Sequence, residues 1–513
     1  MLLANFLFCI LLISGNEAAR ILAVFPVPSI SHQVVFRPLT HELARRGHEL
    51  VIITPDPAFE KGKSPPNITE IDVHDTSYRI WREQFIPTPK GNKDDLLTQT
   101  GLAFDIISVV FDHLLQDDNV KKLINDKNQS FDLLLLEACA TPALILSHIY
   151  KVPVIQISSG GAIPGNYETV GAPIHPFLDT GIFKRKNYNL TLWDKILEVY
   201  NLYLIQRMMN THERRVDDML QRRFGNVPSV QELKNNVHML FLNVNPVYEG
   251  IKAVPPSVVY MGGLHQKPDK ELPNDLKSFL DSSKHGVIYL SFGTNVDPSL
   301  LPPKKIQILV DVFSQLPYDI LWKWDKDELP GRTENIRISK WLPQSDLLKH
   351  PKVKLFITQG GLQSTDEAIT AGVPLIGVPM LIDQWFNVDR YVQHKIGLKL
   401  DLETLTEEEF RNAINTIIGD ESYRRNVVRL RGLMRDQPQR PLERAVWWTE
   451  HALRHGGAAH LRAPAANMPW TEYLELELVL ILLAVLIVGI VISIKLLCIV
   501  YSYCCRILKL KQD

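Results

Sequence analysis

Cysteine is scarce in this sequence. There are 5 cysteines among 513 residues. Cys9 falls in an apolar N-terminal segment, while Cys498, Cys504 and Cys505 lie in or beside an apolar run near the C-terminus. Only Cys139 remains for the body of the chain, so no disulfide within the chain can stabilise that body. Its stability must come from a hydrophobic core, which a chain of this length can bury.

An excess of charge of either sign is also lacking. The 56 Lys and Arg residues nearly balance the 57 Asp and Glu residues, for a net charge of −1. Without a basic excess we expect no nucleic acid among the partners, and a hydrophobic content of 45% excludes an intrinsically disordered chain. At roughly 100–200 residues per domain, the length predicts two or three domains. The sequence does not decide whether the chain forms a homo-oligomer.

The N-terminal segment, residues 1–19, has the pattern of a secretory signal peptide. Its centre is apolar, and Ala18 and Ala19 provide small residues for cleavage. Because a strongly basic start is missing, a buried N-terminal strand is the alternative. A signal peptide here would direct the body of the chain into the secretory pathway.

The C-terminal segment contains an apolar run, Leu478–Ile494. A rise of 1.5 Å per residue makes this run about 26 Å long, and we place a transmembrane helix at residues 476–500. Basic residues follow in a predicted cytosolic tail, 501–513, as the positive-inside rule expects. Lys509 and Lys511 resemble a dilysine signal for return to the endoplasmic reticulum, and a simple stop-transfer flank is the alternative.

Three glycosylation sequons fit a lumenal body. They begin at Asn67, Asn128 and Asn189. Such triplets arise often by chance, so they support this location without establishing it. Together with the two termini, they predict a single-pass type I protein of the endoplasmic reticulum membrane.

The body alternates apolar strands with helical stretches, the pattern of parallel sheets covered by helices. We therefore expect an α/β fold with two doubly wound domains. The expected strands are Ile21–Val27, Glu49–Thr54, Phe131–Leu136, Val154–Ser158, Val287–Phe292, Asp319–Lys323, Ile336–Ile338, Leu355–Thr358 and Leu375–Val378. The expected divisions are an N-terminal domain at 20–245, a linker at 246–268, a C-terminal domain at 269–440, and a return helix with juxtamembrane segment at 441–475. The return helix is expected to bury Trp447, Trp448 and Leu453.

A glycine-rich turn follows the expected strand Leu355–Thr358. Gly360 and Gly361 would let the backbone approach a ligand closely, and the helix beyond them offers free N–H groups at its positive end. This arrangement suits a phosphate. The alternative is a capping box between Ser364 and Glu367, which needs no ligand.

The longer run Phe356–Gln384 carries a resemblance. Together with Trp341-Leu-Pro-Gln344 and the Trp447-Trp448 block, it closely resembles the donor-binding signature of the UDP-glycosyltransferases. The resemblance covers nearly all of the chain, and Leu362-Gln-Ser364 looks most like insect members. It implies a GT-B fold, in which two Rossmann-like domains face a cleft, and transfer of a sugar from a UDP-sugar.

The same resemblance implies roles for single residues. Trp341 and Gln344 would hold the uracil, although a core tryptophan and a turn glutamine are the alternatives. Glu367 would bind the ribose hydroxyls, and Asp383 and Gln384 the hydroxyls of the transferred sugar. The diphosphate would lie against Ser291, Gly293, Thr294, Thr358, Gln359, Gly361, Gln363 and Ser364.

Gln359 departs from the family pattern, because many members have histidine there. Glutamine can donate to a phosphate oxygen but brings no charge. We expect no metal and no other cofactor. The sequence shows no Asp-x-Asp motif placed to hold a metal, and the helix end can stabilise the leaving UDP instead.

His32 is the candidate catalytic base. It follows the first strand in an apparent turn, and an imidazole suits proton removal from a hydroxyl near neutral pH. The resemblance implies the same role, with an Asp partner after a later strand, where this chain has Glu137. A solvated carboxylate is the alternative for Glu137. Asp132 precedes that strand and should lie at the opposite edge of the sheet.

The resulting hypothesis is an inverting transferase that moves a hexose from a UDP-sugar to a small lipophilic alcohol or phenol. UDP-glucose is the expected donor, with UDP-glucuronic acid and UDP-galactose left open. The acceptor pocket is expected along residues 80–89, 101–113 and 160–183. The alternatives are a catalytically silent lipophile-binding protein of the same fold and a UDP-sugar epimerase.

Overall fold

The structure is a computed structural model that describes residues 18–87, 96–184, 187 and 189–510. The predicted signal peptide therefore lies outside the described residues except for Ala18 and Ala19. Within the described ranges, thirteen strands form two sheets, and every pair of neighbouring strands is parallel. The expected α/β class is confirmed.

The first sheet has the strand order β3-β2-β1-β4-β5-β6-β7. Its strands are β1 Arg20–Val24, β2 Glu49–Thr54, β3 Ile68–Asp72, β4 Leu133–Glu137, β5 Val154–Ser158, β6 Val237–Leu242 and β7 Val258–Tyr260. The helices along this part of the chain are α1 Ile30–Arg45, α2 His74–Gln84, α3 Leu96–Leu114, α4 Asp118–Asn125, α5 Ile145–Tyr150, α6 Asn166–Val170, α7 Leu192–Phe224, α8 Val230–Leu233 and α9 Pro246–Glu249.

The second sheet has the order β10-β9-β8-β11-β12-β13. Its strands are β8 Val287–Ser291, β9 Asp319–Lys323, β10 Ile336–Ser339, β11 Val353–Thr358, β12 Leu375–Gly377 and β13 Gly397–Lys399. The accompanying helices are α10 Asn274–Ser282, α11 Pro303–Ser314, α12 Gln344–Leu348, α13 Leu362–Ala371, α14 Gln384–Gln393, α15 Glu407–Gly419 and α16 Glu421–Arg435. The chain ends with α17 Pro441–Arg454, α18 Trp470–Tyr473 and α19 Leu476–Leu510.

The central strands are buried on both faces. Every residue of β4 and of β8 is buried, because helices cover both sides of each parallel sheet. Such strands consist of continuous apolar runs without alternation. The run Leu133–Leu136 is one example, and it explains why the sequence revealed these strands clearly.

Three short or less apolar strands were not predicted, and neither was the six-residue apolar strand β6. The strands β3, β6, β7 and β13 were missed, and β7 lies inside the predicted linker, where it pairs with β6. The expected buried face of the return helix is wrong for Trp447 and partly confirmed for Trp448 and Leu453, which pack against the core. In α17 the buried residues include Ala445, Val446 and Ala452, while Trp447 is exposed and Trp448 and Leu453 are only partly buried. The small residues allow α17 to pack closely against α1 and β7.

The last helix, α19, has the length and composition of a membrane span. Among the described residues, Leu476–Cys505 is the one helical segment that passes this test, with a mean hydropathy of 3.1 over its best window. The helix extends past the predicted span at 476–500 into the predicted tail. A C-terminal membrane anchor is thus supported.

The three sequons differ in their surroundings. Asn128 and Asn189 are exposed, whereas Asn67 is partly buried. Its Nδ2 donates to the carbonyl oxygens of Ala44 at 2.7 Å and His48 at 2.9 Å. A glycan on Nδ2 would replace one of its two N–H groups, so that only one of these hydrogen bonds could form. Modification of the sequons stays a prediction, and the geometry favours Asn128 and Asn189.

Each sheet has one point where the direction of strand addition reverses. In the first sheet this point lies between β1 and β4, and in the second between β8 and β11. Ligands of open α/β sheets bind beyond the carboxyl ends of the strands at such points. His32 lies beyond β1, and Glu137 is the last residue of β4. The two turns that are predicted to bind the diphosphate follow β8 and β11.

Candidate active site

A histidine and a glutamate meet where β1 and β4 end. Nδ1 of His32 lies 2.5 Å from Oε1 of Glu137, and Oε2 of Glu137 accepts the backbone N–H of Val27 at 3.2 Å. The Glu137 side chain is 1% exposed, whereas His32 keeps 27% of its side chain exposed at the cleft. The buried carboxylate fixes the imidazole through Nδ1 and leaves Nε2 for a substrate.

His32 lies in the first turn of α1, so its predicted position in the preceding turn is wrong. Ser29 is extended and precedes the helix, which begins at Ile30. The Gln33 amide donates to the carbonyl oxygens of Phe25 at 3.1 Å and Val27 at 3.3 Å. These bonds tie the start of the helix to the end of β1 and hold His32 against the sheet.

Asp132 and Cys139 do not take part in the contact between His32 and Glu137, which we call the dyad. The carboxylate of Asp132 accepts the backbone N–H of Arg20 at 2.7 Å, at the opposite edge of the sheet as predicted. Cys139 places Sγ within 4.8 Å of the ligand atoms of His32 and Glu137. Burial raises the pKa of the Cys139 thiol well above its ordinary value, so the thiol stays protonated and is a poor metal ligand.

The turn between β11 and α13 meets the turn after β8. The hydroxyl of Thr358 donates to Oε1 of Gln359 at 3.2 Å, and Ser291 Oγ accepts the N–H of Gly293 at 3.3 Å. Gly293 has φ of +76°, and a Cβ there would lie 2.1 Å from Nε2 of Gln359. The positive φ favours glycine at this position, and a side chain there would displace the Gln359 amide. Thr358 is fully buried beneath Gln359 rather than at the cleft surface.

Gln344 connects the predicted uracil and ribose residues. Its Oε1 accepts the Tyr289 hydroxyl at 3.0 Å, and its Nε2 donates to Ser364 Oγ at 2.9 Å and Glu367 Oε2 at 2.7 Å. The alternative capping box is wrong, because α13 begins at Leu362 after Gly361 and shows no side-chain cap. Burial raises the pKa of Glu367, and hydroxyls of a bound ribose would provide donors to this carboxylate.

Trp341 and Lys323 form the edge of the predicted donor site. The Trp341 side chain is 67% exposed, so it is not the core tryptophan of the alternative interpretation. The Nζ atom of Lys323 lies 5.0 Å from the centre of its ring and donates to the Gly293 carbonyl at 2.7 Å. Burial lowers the pKa of Lys323, opposed by the charge of Asp297. The sequence reasoning missed Lys323, although a cation at the end of β9 was a usable signal.

Asp383 and Gln384 lie at the start of α14, on the cleft wall. Asp383 Oδ2 accepts from the Asn387 amide at 3.0 Å, and Gln384 Oε1 accepts the N–H groups of Met380 at 3.0 Å and Leu381 at 2.9 Å. Burial raises the pKa of Asp383, while the charge of His32 acts in the opposite direction. The pair thus lines the same cleft as His32 and Glu137 of the other sheet.

Side chains also join the two halves across the cleft. The Gln363 amide donates to the Ser159 carbonyl at 2.8 Å, and the Asn295 amide donates to Ser29 Oγ at 3.4 Å. The Gln363 amide, which was predicted to donate to the diphosphate, therefore donates to the other domain instead. A ligand entering here would have to displace or share this contact.

One cleft of about 1350 Å³ collects these groups. Of the predicted catalytic and donor residues, all except Thr358 line it, including Thr294 and Gly361. Its other wall draws on the expected acceptor segments and is largely apolar, with Trp81, Phe85, Ala103, Ile107, Ile182 and Phe183 among the lining residues. Residues 88 and 89 of the first segment lie outside the described residues.

The chain is similar to known sequences along nearly its whole length. A sequence model of the family described as UDP-glucoronosyl and UDP-glucosyl transferase matches residues 20–511. An ecdysteroid UDP-glucosyltransferase of Lymantria dispar multicapsid nuclear polyhedrosis virus is 38% identical over 486 residues, which cover 93% of this chain and 96% of that protein. A UDP-glycosyltransferase of Dactylopius coccus is 32% identical, with 95% and 94% covered.

Solved structures share the architecture. A UDP-glucose: anthocyanidin 3-O-glucosyltransferase in complex with UDP superposes with a TM-score of 0.58, 17% identity, and coverage of 86% of this chain and 100% of that chain. An Arabidopsis thaliana glycosyltransferase complexed with UDP-L-rhamnose gives a TM-score of 0.57 at 15% identity, with 85% and 99% covered. Identities this low show the fold alone.

Two parallel α/β sheets facing a common cleft, with these structural neighbours, define a GT-B fold. The chain belongs to the UDP-glucoronosyl and UDP-glucosyl transferase family. It is a hexosyltransferase that takes its sugar from a UDP-sugar.

Proposed function

We propose that this enzyme transfers glucose from UDP-glucose to a hydroxyl of a small lipophilic acceptor, with inversion at the anomeric carbon. The observation that carries the proposal is the His32–Glu137 dyad, which lies on the same cleft as Asp383 and the Gln344–Glu367 pair. A base bound to one sheet thus lies opposite donor-site residues bound to the other. This arrangement suits attack by an acceptor on a donor held across the cleft.

In the proposed reaction, Nε2 of His32 removes the proton of the acceptor hydroxyl. The oxygen forms a bond to the anomeric carbon while the bond from that carbon to the UDP oxygen breaks, and UDP leaves with the electron pair. Glu137 stabilises the imidazolium that forms. The N-terminus of α13 and the ammonium of Lys323 would balance the charge on the departing diphosphate. His32 then returns the proton to solvent.

The choice of donor and acceptor rests on different support. Curated relatives carry the name UDP-glucosyltransferase, which favours UDP-glucose over UDP-glucuronic acid and UDP-galactose. Apolar side chains on the acceptor wall favour a lipophilic alcohol or phenol. Because relatives are named as acting on ecdysteroids, a polycyclic steroid alcohol belongs among the acceptors tested.

The proposed location is the lumen of the endoplasmic reticulum. The apolar helix α19 supports a membrane anchor, and the predicted signal peptide and the basic C-terminal end support a lumenal body with a cytosolic tail. A protease that cannot cross the membrane should remove only the tail from sealed vesicles. Digestion of the whole body in sealed vesicles would contradict this orientation.

The proposal is tested with membranes that contain the full-length protein, labelled UDP-glucose and a panel of phenols and steroid alcohols. We expect glucosides of inverted configuration from the wild type and at least about 100-fold slower transfer to the alcohols by His32→Ala, with His285→Ala as the exposed control. Unchanged transfer to the alcohols by His32→Ala would overturn the mechanism. UDP binding without transfer to any acceptor would favour the silent binding protein, and release of a different UDP-hexose would favour an epimerase.

A further inference from the structure

One carboxylate on the acceptor side of the cleft has an oxygen without a partner. Glu249 is the last residue of α9; it is 8% exposed and lines the cleft. Among the residues that the structure describes, no donor lies within hydrogen-bond distance of its Oε2. A carboxylate oxygen that loses water without gaining a donor is costly, so such atoms are rare inside folded proteins. No step of the proposed reaction uses Glu249.

Two neighbours of Glu249 belong to the wall that is expected to hold the acceptor. A Cβ added at Gly161 would lie 2.9 Å from its Oε1, and the Thr180 hydroxyl donates to its backbone carbonyl at 2.9 Å. Both neighbours fall in the predicted acceptor segment 160–183. The helix α9 follows β6, which lies two strands from β4 in the first sheet. At about 4.8 Å per strand, this places Glu249 on the order of 10 Å across the sheet from the dyad.

A buried ammonium faces the same carboxylate without a hydrogen bond to it. Nζ of Lys252 lies 3.9 Å from Oε1 of Glu249 and 4.7 Å from the centre of the Tyr167 ring. The Lys252 side chain is buried, and both Lys252 and Tyr167 line the cleft. The separation of the two charged groups is too long for a hydrogen bond. The carboxylate can therefore still accept from a ligand, and the ammonium can still donate to one.

A hydroxyl group matches this pair chemically. Its hydrogen can be donated to the carboxylate, while its oxygen can accept from the ammonium. A carboxylate or an ammonium on the ligand would be repelled by one member of the pair. Burial raises the pKa of Glu249, and the charge of Lys252 opposes this shift; a hydroxyl that donates to the carboxylate would favour its charged form. Because the surrounding wall is largely apolar, one such polar contact would fix the orientation of a lipophilic molecule.

We propose that Glu249 and Lys252 bind a second hydroxyl of the acceptor and thereby determine which acceptors the enzyme prefers. The acceptor class is then a rigid lipophilic diol, with one hydroxyl at His32 and the other at Glu249. This inference rests on the proposed function. Glu249 and Lys252 position the acceptor and take no part in proton transfer or bond cleavage.

The proposal is tested by kinetics of the full-length protein in membranes with UDP-glucose and two acceptors. One acceptor is a rigid polycyclic diol with its hydroxyls on the order of 10 Å apart, and the other has hydrogen in place of the second hydroxyl. For the wild type we expect KM to be at least about tenfold lower for the diol, because only the diol bonds to a charged group. In Glu249→Gln the difference should shrink to about threefold, because a neutral amide oxygen accepts more weakly. The kcat for the monohydroxy compound should stay unchanged.

A double variant, Glu249→Leu with Lys252→Met, removes both charges so that neither remains buried alone. We expect equal KM values for the two acceptors in this variant, with the wild-type kcat for the monohydroxy compound. The double variant also tests the proposal if Glu249→Gln does not fold. The matched control is Glu213→Gln, because Glu213 lines the same cleft but already bonds to Lys234 at 2.6 Å. Its ratio of KM values should equal that of the wild type.

An unchanged ratio of KM values in both Glu249 variants would overturn the proposal and would indicate that an ordered water alone fills the gap beside Lys252. An equal rise in KM for both acceptors, or a rise in KM for UDP-glucose, would overturn it as well.

If the wild type transfers to neither acceptor, the proposed function fails, and calorimetric titration of the two compounds decides the Glu249 contact by itself. Tighter binding of the diol to the wild type, absent from the double variant, would support the contact. Equal affinities of the wild type for the two compounds would overturn it.

Discussion

Glu137 holds His32 with one carboxylate oxygen and the end of β1 with the other. The two distances are 2.5 Å to Nδ1 of His32 and 3.2 Å to the backbone nitrogen of Val27. The side chain is almost fully buried. The extra methylene of glutamate, relative to the aspartate of the family pattern, is therefore used to span the distance between β4 and α1.

Shortening this residue should impair catalysis. In Glu137→Asp the carboxylate would retreat by about 1.5 Å, the length of one C–C bond, and would lose one or both of its contacts. We expect kcat to fall about 100-fold, within the range contributed by general base catalysis, with KM for the UDP-sugar unchanged.

Glu137→Gln keeps the length and removes the charge, so it serves as the matched comparison. Wild-type kcat in Glu137→Asp, or a rise in KM for the UDP-sugar in place of a fall in kcat, would contradict a positioning role for this carboxylate.

Gly293 should not tolerate alanine. Its φ of +76° disfavours any side chain, and the new Cβ would lie 2.1 Å from Nε2 of Gln359. The left-handed conformation alone costs about 1–2 kcal/mol for alanine, and the Gln359 amide would also have to move from its place at the predicted diphosphate site. We expect KM for the UDP-sugar to rise at least about tenfold, since 1.4 kcal/mol corresponds to a factor of ten.

Gly419→Ala is the control, because a Cβ at that position meets nothing within 4 Å. Equal donor affinity in Gly293→Ala and Gly419→Ala would show that the close approach of the two turns is not needed for donor binding.

Lys323 should contribute to donor binding even though the sequence analysis did not identify it. Its ammonium bonds to the Gly293 carbonyl and lies over Trp341, so Lys323→Met would remove a charge beside both the diphosphate turn and the uracil site. Hydrogen bonds to charged groups contribute about 1.5–3 kcal/mol, so we expect KM for the UDP-sugar to rise at least about tenfold.

Lys326→Met, at an exposed position after β9, should leave KM unchanged. A similar KM in both methionine variants would exclude a donor-binding role for Lys323.

The buried carboxylate of Asp383 should lower the stability of the folded protein at neutral pH while it supports transferase activity. Burial raises its pKa above the ordinary value of 3.8. Its stabilising contribution is complete below the unfolded pKa and is lost as the pH rises through the folded pKa, because the native carboxyl then ionises where it is poorly solvated. Asp383→Asn should therefore melt at a higher temperature than wild type at neutral pH, and the difference should narrow towards acidic pH.

The same variant should lose about 10- to 100-fold in kcat/KM, the effect of one hydrogen bond to a charged group. Asp118→Asn, a substitution of a fully exposed carboxylate, controls for general changes of charge. A lower melting temperature for Asp383→Asn at neutral pH would contradict the assigned cost of burial.

The sequence predicted the strands that matter for the site, and the reason is physical. Buried parallel strands such as Val154–Ser158 and Asp319–Lys323 are mostly apolar. The residues at which they end can therefore be recognised in the sequence. The ends of strands place the ligand residues, and His32, Glu137 and the Gly360–Gly361 turn were located in this way. The family resemblance supplied the roles of single donor residues, which no periodicity could provide.

The errors came from contacts between residues far apart in the sequence. Ser364 and Glu367 have the spacing of a capping box, but Gln344 bonds to both of them and competes with that local pairing. The start of α1 was placed too late, because its first turn is held by bonds from Gln33 to the carbonyls of Phe25 and Val27 at the end of β1. Trp447 was assigned to the core by its size alone, whereas the close contact of α17 with α1 requires small residues.

The central claim, that His32 removes the acceptor proton, is tested most directly by comparing two acceptors in His32→Ala. One is an aliphatic alcohol, and the other is a phenol acidic enough to be largely ionised at the assay pH. The account predicts a loss of at least about 100-fold in kcat with the alcohol, within the range of general base catalysis, and a much smaller loss with the ionised phenol. Equal losses with both acceptors, or no loss with the alcohol, would contradict it.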